Sequence, residues 1–377
     1  MPSQLMLRNL REFTDDTGLF QHAKYSVPDR RLGYSTDDNA RALVIVSKCY
    51  NIYGLEFSVR LAKTYLGFLY YMHRKDGFFY NKLSYDRLRK WDKSEDTYGR
   101  SLWGCASLYS SRMPDDLRLL AKELLDASLK VTDKLKALRG MALTIIALHE
   151  YHYKANNKDA INDLVKKLAH KIMEAYDKSS DSSWRWFEDL MTYENARLPQ
   201  ALFLAYNITG EKDFLKVALE SFDFLCKATL VNGIFWPVGN RGWYPRGKSK
   251  ALYDQQPVEA GSMSEAALDA FMITNERKYL EIAKTAMKWF FGKNSIGVKV
   301  YDEKTGRCYD GITPHGLNLN QGAESMLSYM LAKLKFEETE AKLGYRLLLE
   351  ASKMKAPLFA GRGASNLIGL GIKMKNR

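Results

Sequence analysis

The sequence predicts an all-α chain folded as one (α/α)6 toroid over residues 1–377, and three observations lead there. Helical apolar periodicity recurs almost throughout. Stretches apolar nearly all round alternate with stretches apolar on one side only. Connections after the first kind are short, and those after the second kind are often long.

Core-facing helices are expected near 36–52, 95–112, 135–154, 191–208, 257–274 and 320–335. A one-sided helix is expected after each, near 57–74, 114–132, 159–178, 211–229, 277–293 and 338–352. Leu164-Val165-Lys166-Lys167-Leu168-Ala169 shows the second pattern, apolar positions at helical spacing with lysines between. Within hairpins the links are brief, as at Thr209-Gly210 and Asn275-Glu276. Between hairpins they run over 75–94, 179–190, 230–256 and 294–319. In a ring of inner and outer helices those long links all emerge at the N-terminal ends of the inner helices. Long irregular segments within a compact domain are usually functional, so that end is the expected site.

The inner-helix starts point the same way. Ser35-Thr36-Asp37-Asp38-Asn39-Ala40-Arg41, Ser94-Glu95-Asp96-Thr97, Tyr193-Glu194-Asn195-Ala196-Arg197, Pro257-Val258-Glu259 and Gln321-Gly322-Ala323-Glu324 all place acids at or near a first turn; Lys136-Ala137-Leu138-Arg139-Gly140 does not. One acid in a first turn merely answers the exposed N–H groups and the macrodipole. Recurrence around a ring suggests one mouth lined with carboxyls.

Cleaving a glycoside takes a carboxylic acid to protonate the leaving oxygen and a carboxylate as base or nucleophile. The catalytic candidates are Asp37, Asp38, Glu188, Asp189 and Glu259. Arg41, Glu95, Asp96 and Glu194 at the helix starts are expected to hold substrate, although Asp38 and Glu194 also have an arginine three residues on. In Ser183-Trp184-Arg185-Trp186-Phe187-Glu188-Asp189, Trp184 and Trp186 could stack on sugar rings or tuck into the core. The Gly- and Pro-rich segment 232–256 offers Trp236, Trp243, Tyr244, Arg246, Asp254 and Gln255 as substrate contacts. His22 and His315 lie in the remaining mouth loops.

The bulk properties exclude other classes. The net charge is +13, from 57 Lys+Arg and 44 Asp+Glu, but the lysines scatter over helix surfaces, so no nucleic-acid partner is expected. No apolar run reaches membrane-spanning length and no signal-peptide pattern opens the chain, so a cytoplasmic protein without a membrane partner is expected. Cys49, Cys105, Cys226 and Cys308 are far apart and read as reduced core thiols, with no metal site. There is no GxxxxGK[ST], GxGxxG, HExxH or GxSxG motif, and no cofactor is expected.

With these segments in view, the chain resembles the six-hairpin glycosidase-like superfamily, and within it a little-characterised family found alone or fused behind glycosyltransferase domains. The likeness rests on Gly33–Leu43, Glu95–Arg100, Phe187–Arg197, Tyr253–Gly261 and Asn318–Ser325. It implies the toroid and a carbohydrate-active enzyme, in a superfamily of hydrolases, phosphorylases, lyases and epimerases. The leading expectation is an inverting glycoside hydrolase acting on a short oligosaccharide such as a mannoside. Its acid would come from Glu188 or Asp189, and its base from Asp37, Asp38 or Glu259. A phosphorylase would hold phosphate with Arg241, Arg246 or Lys248. An epimerase would use His22 and His315 as bases. A non-catalytic sugar-binding partner of a transferase is the fourth reading. A homodimer is the assembly entertained.

Overall fold

The computed structural model describes residues 2–92 and 94–354, with side chains over 5–92 and 94–344. The described residues up to Phe336 form one compact unit, and those from Glu337 belong to a second. In chain order the helices are α1 (Pro2–Glu12), α2 (Thr36–Tyr53), α3 (Phe57–Met72), α4 (Glu95–Ser110), α5 (Asp115–Leu129) and α6 (Leu138–His152). They continue as α7 (Lys158–Ser179), α8 (Arg197–Thr209), α9 (Lys212–Thr229), α10 (Pro257–Thr274), α11 (Arg277–Lys288) and α12 (Ala323–Met354).

Burial separates the two layers. In α10 every residue from Pro257 to Phe271 is buried, whereas α7 buries only Ile161, Val165, Leu168, Ala169, Ile172 and Tyr176. The first pattern is a helix surrounded by protein, and the second is one covered on a single side. The inner helices α2, α4, α6, α8 and α10 each pack against the next. Arg41 of α2 reaches Glu324 of α12 at 3.0 Å, and Gly261 of α10 packs so tightly on α12 that a Cβ there would sit 2.7 Å from the Ser328 carbonyl oxygen. These contacts close the ring. Gly140 does the same between α6 and α4, where a Cβ would meet that of Glu95 at 2.6 Å.

The long links form short strands that lace neighbouring hairpins together over the N-terminal ends of the inner helices. Tyr34–Ser35 pairs with Lys82–Leu83, which pairs with Arg89–Lys90. Leu190–Met191 pairs with Tyr244–Pro245, and Gln255 bridges Ile312.

Three elements differ from expectation. α12 runs unbroken over Ala323–Met354, where an inner and an outer helix were expected. Lys335-Phe336-Glu337-Glu338-Thr339-Glu340-Ala341-Lys342 contains neither Gly nor Pro to stop it. The sequence reading also passed over α1. Its buried Met6, Leu7 and Leu10 make it an amphipathic helix packed on α2 and α3, and Asn9 Nδ2 donates to the Thr305 carbonyl at 2.9 Å. α8 begins at Arg197, not near 191, because Glu194 takes φ +43° and breaks helical geometry just before it.

Candidate active site

At the start of α2 the Ser35 hydroxyl accepts from the Asp38 N–H, and the first turn presents Asp37 and Asp38 above Arg41. Arg41 Nη2 meets Asp37 Oδ1 at 2.8 Å, Asp38 Oδ1 at 2.9 Å and Glu324 Oε2 at 3.0 Å. Spacing of three and four residues on one helix puts both aspartates within reach of that single guanidinium. A second arginine, Arg100 of α4, joins Asp37 to Glu194. Glu194 also meets Arg197 Nε at 3.2 Å, and Arg197 Nη2 continues to Glu265 at 2.9 Å. Gln200 accepts from Arg197 and donates to Asp269, each at 2.8 Å. A charged column thus descends from the mouth between the inner helices.

A cavity of about 260 Å³ opens above this column, and both Asp37 and Asp38 line it with Arg41. Its other walls are Gln21 and His22, the 75–94 loop through Asn81, Lys82 and Asp92, the start of α4 through Ser94 and Thr97, and Glu324.

The two aspartates are pushed apart in proton affinity. Burial raises the Asp38 carboxyl to about 7; Arg41 opposes that rise, and Asp37 and Glu324 add to it by repulsion. Burial also acts against ionised Asp37, but Arg100 and Arg41 together outweigh it and hold that carboxyl below its ordinary value. Across the mouth, burial lifts Glu259 to about 8 against the pull of Arg139. Glu259 accepts from the backbone N–H of Glu194 and from Asn195 Nδ2 at 3.4 Å.

The structure brings Asp37, Asp38, Arg41 and His22 to the cavity, and links Glu194 and Glu259 into the network beside it. Other expected contacts lie elsewhere. Asp189 has 78% of its side chain exposed and pairs with Arg246 at 3.1 Å on the surface. Glu188, more than a third exposed, meets Arg139 at 2.9 Å. Neither lines the cavity. Trp184 and Trp186 are core residues, 3% and 0% exposed. The Asp181 carboxylate turns the chain by accepting from Ser183 and Trp184 N–H groups, and Trp184 then packs edge-on against Phe224 and Tyr244. Glu95 accepts from the Lys136 and Ala137 N–H groups at 2.7 and 2.6 Å, tying down the entry to α6. Asp96 accepts from the Tyr193 hydroxyl at 2.6 Å.

The 232–256 segment is mostly held by its own bonds. Trp236 Nε1 donates to the Leu252 carbonyl, Trp243 Nε1 to Asn240, and buried Gln255 bonds Leu252, Ser295 and Trp289. Arg246 is taken up by Asp181 and Asp189, away from the cavity. Asp254 is half-buried in the same segment, and its backbone carbonyl accepts from Asn240. His315 is exposed at the tip of the hairpin formed by Ile312–Thr313 and Gly316–Leu317. Arg100, Arg139, Tyr193 and Glu265 are the participants that sequence reasoning passed over. The available signal was a charge at a core position of an otherwise apolar inner helix, as in Arg100-Ser101-Leu102-Trp103.

No family model and no curated protein matches the sequence. Solved structures do. A sugar epimerase from a ruminal bacterium superposes with a TM-score of 0.68 at 15% identity, covering 90% of this chain and 99% of its own. The GH76 α-mannanase of Bacteroides thetaiotaomicron gives 0.63 at 14% identity, covering 89% and 95%. An inactive variant of the α-1,6-mannanase of Salegentibacter sp. HEL1_6, with asparagine at two adjacent aspartate positions and in complex with α-1,6-mannotriose, gives 0.60 at 11%, covering 89% and 97%. The chain therefore shares the (α/α)6 fold of these proteins.

Proposed function

We propose that the chain is a carbohydrate-active enzyme, specifically a glycoside hydrolase acting on an oligosaccharide such as an α-mannoside, with Asp37 and Asp38 as its catalytic pair. One observation carries this reading. Two successive carboxyls face one cavity, and their surroundings keep Asp37 ionised while Asp38 holds a proton near neutral pH. Such divergence supports a proton-donor role for Asp38 and a nucleophile role for Asp37. The mannanase inactivated at two adjacent aspartates supports it by analogy of arrangement.

In the first step Asp37 would attack the anomeric carbon while Asp38 gives its proton to the departing oxygen. Water would then open the glycosyl ester, returning a proton to Asp38 and freeing Asp37. Both Oδ1 atoms touch the same Arg41 nitrogen, at 2.8 and 2.9 Å. That closeness suits the roughly 5–5.5 Å gap of double displacement better than the roughly 6.5–9.5 Å of single displacement. It favours retention over the inversion expected from sequence.

The test is incubation with α-1,6-mannotriose, with and without phosphate, followed by proton NMR. Phosphate-independent release of mannose with the anomeric configuration kept is expected, and Asp37→Asn or Asp38→Asn should each cut it roughly 100-fold or more. Turnover retained in both variants would overturn the assignment. A second reading, epimerisation, has His22 on the cavity wall and the likeness to a sugar epimerase in its favour; a C2 epimer formed with no monosaccharide released would establish it.

A further inference from the structure

Tyr193 is exposed although everything that holds it is buried. It keeps 38% of its surface, while its supports Asp96 and Arg139 keep only 8% and 7%. The Tyr193 hydroxyl donates to Asp96 at 2.6 Å. The Arg139 guanidinium lies over one face of the ring, 4.8 Å from its centre, and Arg139 Nε donates to the Tyr193 carbonyl at 2.6 Å. Hydroxyl, ring face and backbone are therefore each fixed separately. Two charges taken out of water are an expensive way to hold one partly exposed ring, and surface aromatics otherwise need no such support.

Neighbours in sequence connect Tyr193 to the cavity and to the network beneath it. Asp96 is followed by Thr97, which lines the cavity. Tyr193 is followed by Glu194, whose carboxylate meets Arg100, the partner of Asp37. The ring and its support are thus next in sequence to the cavity wall and to the ion network around Asp37. Trp184 and Trp186, the stacking residues expected from sequence, are enclosed in the core, so they leave that task open. A pyranose has a polar edge of hydroxyls and an apolar face of C–H groups, and an aromatic ring held flat and half-open matches the second.

We propose that Tyr193 is a sugar-binding residue that stacks on the ring adjoining the one in the cavity, making the enzyme selective for chains of two or more residues. This rests on the carbohydrate reading above. The phenol holds its proton well above the ordinary tyrosine range, through burial and then the charge of Asp96, so its hydroxyl remains a donor to Asp96 and the ring is not freed by moderate alkalinity.

The test measures binding without turnover, by calorimetry in the Asp38→Asn background, with α-1,6-mannotriose and methyl α-mannoside as probes. Tyr193→Ala is expected to weaken mannotriose roughly tenfold or more, the order of one stacked ring, and to leave methyl α-mannoside nearly unchanged. Tyr193→Phe and Tyr193→Trp, which keep a ring, should stay close to the parent. Equal loss in the phenylalanine and alanine variants would overturn the stacking role in favour of the hydroxyl, and undiminished mannotriose binding by alanine would overturn it outright. NOEs between the Tyr193 ring and sugar C–H protons in the parent give an independent readout should the alanine variant not fold; their absence in a bound complex would refute stacking. If the parent binds neither sugar, the carbohydrate reading fails and this one with it. Binding that ignores Tyr193 removes only the latter.

Discussion

Asp38→Asn should stabilise the protein at alkaline pH while removing its activity. Asp38 is 3% exposed, and burial lifts its carboxyl from the ordinary 3.8 to about 7. Between pH about 4 and about 7 the unfolded chain has released this proton while the folded chain keeps it. Folding then takes up a proton, and stability falls as pH rises through that window. The span of about three pH units, at about 1.4 kcal/mol each, sets an upper limit of about 4 kcal/mol by pH 8. Asparagine matches the shape and keeps an oxygen for Arg41 Nη2, but has no proton to lose. Glu259, lifted to about 8, contributes a similar slope to both proteins and cancels in their difference. Denaturant unfolding of the two proteins from pH 4 to pH 9 is the assay. The stability difference should be near zero at pH 4, grow through neutrality in favour of the variant and level off above about pH 8. A difference independent of pH, or a variant less stable at pH 8, would refute burial as the cause of the proton's retention.

The other expectations concern the network and the core. Arg100→Met should cost roughly 3 kcal/mol in denaturant unfolding, because half-buried Asp37 and buried Glu194 each lose a cation and, among the described residues, keep only Arg41 or Arg197 as ionic partners. Adding Glu194→Gln should recover part of it, and strict additivity of the two substitutions would show they are not coupled. Trp186→Ala should cost roughly 3–5 kcal/mol, since the side chain is wholly enclosed, and leave mannotriose binding unchanged; weakened binding in a stable variant would return Trp186 to the site.

The ring was legible because burial writes itself into composition. A helix enclosed on all sides, such as α10, must be apolar all round, and one like α7 must alternate. Helix starts were legible where a side-chain cap or a proline announces them, as at Ser35 and Pro257. The pairing of charges was not. Arg41 and Glu324 are brought together only by closure of the ring, and Arg100 finds Glu194 across two helices. A charge in an otherwise apolar inner helix marks each arginine, but nothing local names its partner. The tryptophans misled for a related reason: a polar loop at 180–189 looks solvated until the Asp181 turn folds Trp184 and Trp186 beneath it. α1 was passed over because eleven residues with buried Met6, Leu7 and Leu10 give too short a periodic signal.

Why the proton rests on Asp38, and not on another acid beside it, follows from what each carboxyl has besides Arg41. Three carboxyls crowd one guanidinium nitrogen within 3.0 Å, and one unit charge does not neutralise three. Glu324 has 45% of its side chain in solvent, so water screens it. Asp37 has a second arginine, Arg100, on its other oxygen. Asp38 is buried, and among the described residues Arg41 is its only direct ionic partner. It has neither the water nor the second cation, so the neutral form is cheapest there. That asymmetry needs Arg100 on one side of the first turn and burial on the other. It places a proton donor and a charged carboxylate on neighbouring residues, the division of labour that the proposed hydrolysis requires.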